Sequence, residues 1–136
     1  MSVIDASVYV ALLRSDEPGH SDSLNWLRAA AEKELEISAP VIIAAEVAAA
    51  VSRGVGNREL AQRAVDGLLN SEIIRLWPVS LELGTRAAEI AVEHKLRGCD
   101  AVYLALAESR AEELVTLDRQ QLERGSAVVE VIRPKA

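Results

Sequence analysis

The stretch EIIRLWPVSLELGTRAAEIAVEHKL, residues 72–96, places a short β-branched run directly before a long helical pattern. Ser80 stands between the two and is suited to cap the helix. Similar short runs recur along the chain, as SVID, ELEIS, ELVTLD and VVEVIRP, with helical patterns between them. Such alternation is typical of βαβ units around a parallel sheet. We therefore predict an α/β fold with a central parallel sheet of four or five strands.

The apolar run after ELEIS predicts another helix of this fold. We expect it to begin at Pro40, because proline is favoured at the first helical position, and to stop near Gly54 and Gly56. Asn57 is suited to cap the helix that follows. Capping residues and apolar periodicity thus agree on where the helices begin.

Length and composition predict one globular unit. The chain has 136 residues, of which 50% are hydrophobic and 26% charged, so we expect residues 1–136 to form a single domain. Aromatic residues make up only 3%, which makes base stacking an unfavourable binding mode. The net charge of -6 argues against a general nucleic-acid coat protein but leaves room for a local basic rim.

Cysteine usage and the first residues predict a cytoplasmic location. Cys99 is the single cysteine, which excludes an intramolecular disulfide and fits a reducing compartment. The opening MSVIDASVYV has neither the basic region nor the long apolar region of a signal peptide. The longest uncharged run is also shorter than the ~20 apolar residues that span a bilayer. We expect no association with a membrane.

Three aspartates occupy positions that suggest chemistry. Asp5 closes the predicted strand VID, and Asp118 closes LVTLD. Ligands of open α/β sheets bind at the carboxyl ends of the strands, where both acids would lie. Asp100 begins the helical run DAVYLALA, whose next turns contain no basic residue to neutralise it. Each aspartate could instead be a helix N-cap, and that alternative stays open.

Glu46 is the single charged residue in APVIIAAEVAAAV, residues 39–51. By helical periodicity it shares a side with Ile43 and Val47, which we expect to face the core. Burying an unpaired carboxylate is costly or forces its protonation. The next basic residue on the helix, Arg53, lies two turns away. A tertiary salt bridge or a metal cation shared with other carboxylates would satisfy Glu46.

The four acids together favour a metal site. Carboxylates from four separate elements would repel one another and raise one another's pKa unless a cation neutralised them. A site with oxygen ligands alone favours Mg²⁺ or Mn²⁺ over zinc. Such ions can activate water for phosphodiester cleavage. We therefore interpret Asp5, Glu46, Asp100 and Asp118 as candidate metal ligands.

The order of these segments resembles the PIN domain, and among PIN domains the VapC-type toxins of type II toxin–antitoxin pairs. The resemblance covers nearly the whole chain and is carried by VIDASV, AAEVAAAV, GCDAVYLALAE and LVTLDRQQL. It implies a three-layer α/β/α fold and a Mg²⁺- or Mn²⁺-dependent endoribonuclease that cleaves RNA with a metal-activated water. It also implies a cognate antitoxin that neutralises the toxin, and a homodimer.

The resemblance also implies roles for individual residues. Asp5, Glu46 and Asp100 match the three most regular acidic positions of the family, and Asp118 matches a more variable fourth. The hydroxyl residues Ser7 and Thr116 match positions that support the acids or a water on the metal, although both could be ordinary capping or strand residues. Where many members have an aromatic residue after the fourth acid, this chain has Gln120, Gln121 and Leu122, which leaves the occupancy of a second metal open.

Basic residues and rival functions complete the expectations. Arginines flank the acidic segments and could hold RNA phosphates or be solvated surface residues: Arg14, Arg53, Arg97 and Arg119. One rival is a receiver-like signalling module, which needs an acidic pair after the first strand that VIDASV lacks. Another is a PIN-like scaffold that has lost catalysis. Both rivals stay open.

Overall fold

The computed structural model describes residues 1–135, apart from the side chain of Val55. Within this range the chain forms five β-strands and seven α-helices. The strands are β1 Ser2–Ile4, β2 Ile37–Pro40, β3 Ile74–Trp77, β4 Glu113–Val115 and β5 Val131–Ile132. The helices are α1 Ala6–Leu13, α2 His20–Glu32, α3 Ile42–Val55, α4 Arg58–Leu69, α5 Leu81–His94, α6 Gly98–Arg110 and α7 Arg119–Arg124, followed by a 3₁₀ turn, Gly125–Ala127.

The five strands form one sheet in the order β3-β2-β1-β4-β5, and every pair is parallel. Because crossovers between parallel strands are right-handed, this strand order assigns α1 to α4 to one face of the sheet and α5 to α7 to the other. The predicted α/β/α architecture is therefore confirmed. Because β1 and β4 are central neighbours, the loops that follow them meet at the same edge of the sheet. These loops begin with Asp5 and Thr116.

Helix starts were predictable where a side chain caps the helix. The side chain of Ser80 accepts a hydrogen bond from the backbone of Leu83 at 3.1 Å, and Asn57 caps α4 through Leu60 at 3.1 Å. The predicted helix start at Pro40 is wrong, because Pro40 is the last residue of β2 and pairs with Trp77.

The sheet itself explains the position of Pro40. The backbone N–H of Val41 donates to the carbonyl of Trp77 at 2.8 Å, so the nitrogen of Pro40 faces the β1 side of the strand. Pairing between β1 and β2 ends at Ser38. The missing N–H of proline therefore removes no ladder hydrogen bond there.

The core is aliphatic, and α6 lies directly on the central strands. In β1 and β4, Val3, Ile4, Leu114 and Val115 are fully buried. Helix α6 is buried on all sides over residues 103–107, which include two alanines, and it contacts β1, β2 and β4. This close packing carries the start of α6 to the sheet edge where β1 and β4 end. Within residues 1–135, no helix combines the length and apolar character needed to cross a membrane.

Gly125 marks a close approach between the 3₁₀ turn and α6. A Cβ atom at this position would lie 2.9 Å from Cδ2 of the fully buried Leu104 and 3.3 Å from Cγ2 of Val131. We therefore expect Gly125→Ala to lower the free energy of unfolding by about 1–3 kcal/mol, measured by urea denaturation. Gly98→Ala is the control, since a Cβ there would meet nothing within 4 Å. Equal losses in both variants would contradict this prediction.

Candidate active site

Asp5 lies at the carboxyl end of β1 and is 4% exposed. As the N-cap of α1, its Oδ1 accepts hydrogen bonds from the backbone of Ser7 at 3.1 Å and of Val8 at 3.4 Å, and from the Ser7 hydroxyl at 2.5 Å. Its Oδ2 accepts from the hydroxyl of Thr116 and, at 3.3 Å, from Nε2 of Gln121. The start of α1, the segment after β4 and helix α7 therefore fix the orientation of this carboxylate.

The hydroxyls of Ser7 and Thr116 connect the start of α1 to the segment after β4. Ser7 Oγ accepts from the backbone of Leu117 at 3.0 Å, and Thr116 Oγ1 accepts from the backbone of Asp118 at 3.0 Å. Each hydroxyl also donates to Asp5. The network thus links the segment after β1 to the segment after β4. The predicted supporting role of both hydroxyls has this geometry and stays a prediction.

Burial and neighbouring charge disfavour ionisation of two aspartates. Burial raises the pKa of Asp5 from 3.8 to about 6, and the charge of Asp100 adds to this effect, although hydrogen bonds from Ser7 and Thr116 oppose it. Burial likewise raises the pKa of Asp100, against the opposing effect of Arg97. Both carboxylates are therefore less stable when ionised than in water, and a nearby cation would relieve this cost.

Arg97 supplies a positive charge between Asp100 and Asp118. Its Nε donates to Oδ2 of Asp100 at 3.0 Å, and its Nη2 donates to Oδ2 of Asp118 at 3.2 Å. The sequence predicted that no basic residue in the first turns of the helix neutralises Asp100. That prediction considered only the residues after Asp100 and overlooked Arg97, which precedes α6 and is its N-cap. Asp100 is three positions after Arg97, so the start of the helix brings the two side chains together.

The N-cap alternative holds for two of the three aspartates. Asp5 caps α1 and Asp118 caps α7, where its Oδ1 accepts from the backbone of Gln120 at 2.8 Å and of Gln121 at 3.3 Å. Asp100 is the third residue of α6 and is not its cap. Capping accounts for one oxygen of Asp118 and leaves Oδ2 facing Arg97.

Glu46 lies on α3 at the border of the core and is half-buried. The fully buried face of α3 consists of Ile43, Val47 and Val51, so the expectation that Glu46 faces the core is right only in part. Its Oε1 accepts a hydrogen bond from the hydroxyl of Tyr103 on α6 at 2.5 Å. Burial and the charge of Glu46 raise the pKa of this tyrosine well above its usual range. Tyr103 is therefore a neutral donor.

The alternative of a tertiary salt bridge to Glu46 is not realised within residues 1–135. No basic nitrogen in this range lies within 4 Å of its carboxylate. The negative charge of Glu46 nevertheless acts on Arg97. Within residues 1–135 the carboxylate thus has a hydrogen-bond partner but no direct counter-ion.

The donor set fits a hard cation in its chemistry, but Arg97 determines its geometry here. Asp5, Glu46, Asp100 and Asp118 offer carboxylate oxygens alone, the ligands that Mg²⁺ and Mn²⁺ prefer. Across residues 1–135, no three His, Cys, Asp or Glu side chains lie close enough to hold a metal ion. The ligand chemistry of the site therefore fits a divalent cation, while Arg97 occupies the position between Asp100 and Asp118.

The other three predicted RNA-binding arginines do not contact the candidate acids within residues 1–135. Arg14 pairs with Asp16 at 2.9 Å and with Glu17 at 3.7 Å. Arg53 donates to the backbone carbonyl of Ala49 in its own helix at 3.2 Å. Arg119 is exposed and lines an open surface cleft beside α7. Among these four arginines, Arg97 is the one that contacts the acids within the described range.

Sequence reasoning missed Gln121 as a residue of the site. Gln121 is 0% exposed and contacts Asp5. A signal was present, because the first turn of a helix that directly follows a strand lies at the sheet edge. A polar residue three positions after the capping Asp118 can therefore reach back toward the strands. Distance along the chain from Asp5 concealed the contact.

Comparison with solved structures supports the fold. VapC20 from Mycobacterium tuberculosis, a Sarcin-Ricin loop cleaving toxin, superposes with a TM-score of 0.77 at 20% identity and covers 93% of this chain and 94% of its own. VapBC2 from Rickettsia felis, bound to a promoter DNA fragment, gives 0.73 at 17% identity and 96% coverage of both chains. FitAcB from Neisseria gonorrhoeae gives 0.72 at 20% identity and 98% coverage of both.

Comparison with family sequence patterns identifies the family. No curated protein sequence matches the chain closely enough to indicate a relationship. The family model of the PIN domain matches residues 2–126, a range that includes β1 to β4, α1 to α7 and all four candidate acids. This match spans far more than half of the sequence. The chain therefore belongs to the PIN domain family.

Proposed function

We propose that this chain is a metal-dependent endoribonuclease toxin of the VapC type. One observation carries the proposal: in a PIN-family fold, Asp5 and Asp118 follow the neighbouring strands β1 and β4, and Arg97 bonds to both Asp100 and Asp118 and is affected by the charge of Glu46. Burial is the main cause of the raised pKa values of Asp5 and Asp100, and a neighbouring aspartate adds to each of them, Asp100 to the first and Asp118 to the second. The structural similarity to VapC20, a toxin that cleaves the sarcin-ricin loop, supports RNA as the substrate class.

The carboxylates would hold Mg²⁺ or Mn²⁺, as the four acids together form an oxygen-only ligand set. Such a cation lowers the pKa of water and stabilises negative charge on a phosphodiester. The chain itself contributes orientation. Ser7 in α1 and Thr116 after β4 both donate to Asp5 and restrain its orientation. Little reorganisation of this carboxylate is therefore needed when substrate binds. Tyr103 donates to Oε1 of Glu46 and so restrains the orientation of this carboxylate.

Arg97 would contact the RNA backbone once the cation replaces it between the two aspartates. Its side chain is 72% exposed, so the guanidinium can reach a phosphate without rearrangement of the fold. Arg14, Arg53 and Arg119 lie on the surface and would form an outer basic rim. A local basic rim of this kind is compatible with a chain of net charge -6.

The proposal includes protein partners. Two of the similar solved structures are named as VapBC2 and FitAcB, and a further one is a toxin–antitoxin complex from Klebsiella pneumoniae. By analogy we propose a cognate antitoxin that covers the acidic site, and a homodimer of this chain. The free, exposed thiol of Cys99 suits a reducing compartment, so we place this activity in the cytoplasm.

The decisive experiment is cleavage of total RNA by the purified chain in Mn²⁺, with EDTA as one control. We expect discrete cleavage products that EDTA abolishes. Glu46→Gln keeps an acceptor for Tyr103 but removes the charge, and should slow cleavage by about 10²-fold or more. Glu32→Gln removes the same charge from an exposed position and should cleave normally. Intact RNA with protein shown to be free of antitoxin would contradict the proposal and favour a catalytically inactive scaffold.

A further inference from the structure

Gln121 is a polar side chain at a fully buried position. It lies on α7 and is 0% exposed. Its Oε1 is buried and has no hydrogen-bond partner within residues 1–135. An unsatisfied buried acceptor destabilises a protein. A methionine or leucine would fill similar space without this cost, so packing alone does not explain a glutamine here.

The contacts of Gln121 reach two of the proposed metal ligands. Its side-chain Nε2 donates to Oδ2 of Asp5 at 3.3 Å. Its backbone N–H donates to Oδ1 of Asp118 at 3.3 Å. Thr116 links the same two aspartates, but from the strand side. Gln121 thus holds Asp5 from α7 and links the orientation of Asp5 to that of Asp118.

Carboxylates that bind metals are usually oriented by hydrogen bonds from a second layer of residues, and loss of such a partner weakens metal binding. We infer that Gln121 is a positioning residue for the metal site, whose side-chain amide holds Asp5 in the orientation that binds the cation. This inference rests on the proposed metal-dependent function. It also explains the unsatisfied Oε1 of Gln121, because burying this oxygen is the energetic cost of placing Nε2 against Asp5.

The test is Gln121→Met, which keeps the approximate shape and removes the amide. We expect the metal-free variant to melt at the same temperature as the wild type or higher, because the unsatisfied acceptor is gone. Its affinity for Mn²⁺, measured by electron paramagnetic resonance of the free ion, should fall about tenfold or more. Gln120→Met, at the exposed neighbouring position of α7, is the matched control and should bind Mn²⁺ as the wild type does.

The outcomes separate this inference from the proposed function. If the wild type binds Mn²⁺ and cleaves RNA, but Gln121→Met binds Mn²⁺ equally well, the positioning role is wrong and the function stands. If the wild type binds no Mn²⁺, both fail. Gln121→Leu is the second variant. Loss of the fold in both variants would also overturn the inference, because Gln121 would then act through stability.

Discussion

Asp5→Asn is expected to slow RNA cleavage in Mn²⁺ by about 10³-fold, the largest effect among these predictions. The physical reason is that Asp5 combines a proposed ligand role with the strongest fixation in the site, through Ser7, Thr116 and Gln121. Asparagine keeps an oxygen for the helix cap but removes the negative charge. Initial rates on a defined RNA, at equal concentrations of folded protein, measure this effect.

The same substitution should change how stability depends on pH. Asp5 has a pKa of about 6 in the folded chain against 3.8 in the unfolded chain, so the folded state binds the proton more tightly. The stability that the protonated group contributes is fully present below about pH 4 and is lost as the pH rises through about 6. Asparagine does not titrate. In EDTA, the free energy of unfolding of the variant relative to the wild type should rise by about 3 kcal/mol across this window.

Asp22→Asn is the control for this pH dependence, since it removes the same charge from an exposed position on α2. Urea unfolding at several pH values gives the required free energies. A constant difference between Asp5→Asn and the wild type from about pH 4 to 7 would show that burial does not disfavour the Asp5 carboxylate. Added Mn²⁺ should stabilise the wild type and leave Asp5→Asn nearly unchanged.

Arg97→Gln is expected to strengthen Mn²⁺ binding, by about tenfold, while it weakens RNA cleavage at saturating Mn²⁺. The guanidinium bonds to Asp100 and Asp118 at 3.0 and 3.2 Å, so it competes with a cation for both carboxylates. A tenfold change corresponds to about 1.4 kcal/mol, which is reasonable for charges at a largely exposed arginine. Cleavage should fall because the proposed contact with phosphate is lost. Isothermal titration calorimetry and cleavage assays measure the two effects.

Arg119→Gln is the matched control, because it removes an exposed arginine next to Asp118 that bonds to neither Asp100 nor Asp118 in the described range. Its Mn²⁺ affinity should change far less. Arg97→Lys keeps the charge without the forked donor geometry. Its affinity for Mn²⁺ should lie between those of the wild type and Arg97→Gln. Weaker Mn²⁺ binding by Arg97→Gln would mean that Arg97 holds the acids in place for the cation, and would reject the competition between them.

Much of the fold was predictable because its signals are local. Alternation of short β-branched runs with helical periodicity gave the correct element types, and the caps at Asn57 and Ser80 gave helix starts. The error at Pro40 shows the limit of such signals. Proline suits the first turn of a helix, and it also suits the end of a strand where no paired strand lies on the side of its nitrogen. Here the pairing of β1 with β2 ends before Pro40, so the strand position is allowed.

The candidate site was predictable in position but not in its contacts. Asp5 and Asp118 could be assigned to the sheet edge because each follows a strand, and parallel strands end at a common edge. The partners of the acids could not be assigned in the same way. Glu46 was expected to need a salt bridge or a metal, and the structure gives it the hydroxyl of Tyr103.

The sequence by itself determined the succession of strands and helices along the chain, because periodicity and capping act over a few residues. It also showed that Asp5 and Asp118 each follow a strand and so lie at one edge of the sheet. Tertiary structure alone decided which side chains those acids meet. Tyr103 lies 57 residues from Glu46, Arg97 lies 21 from Asp118, and Gln121 lies 116 from Asp5. Such contacts depend on strand order and on the packing of α6 and α7 against the sheet, which local patterns do not specify.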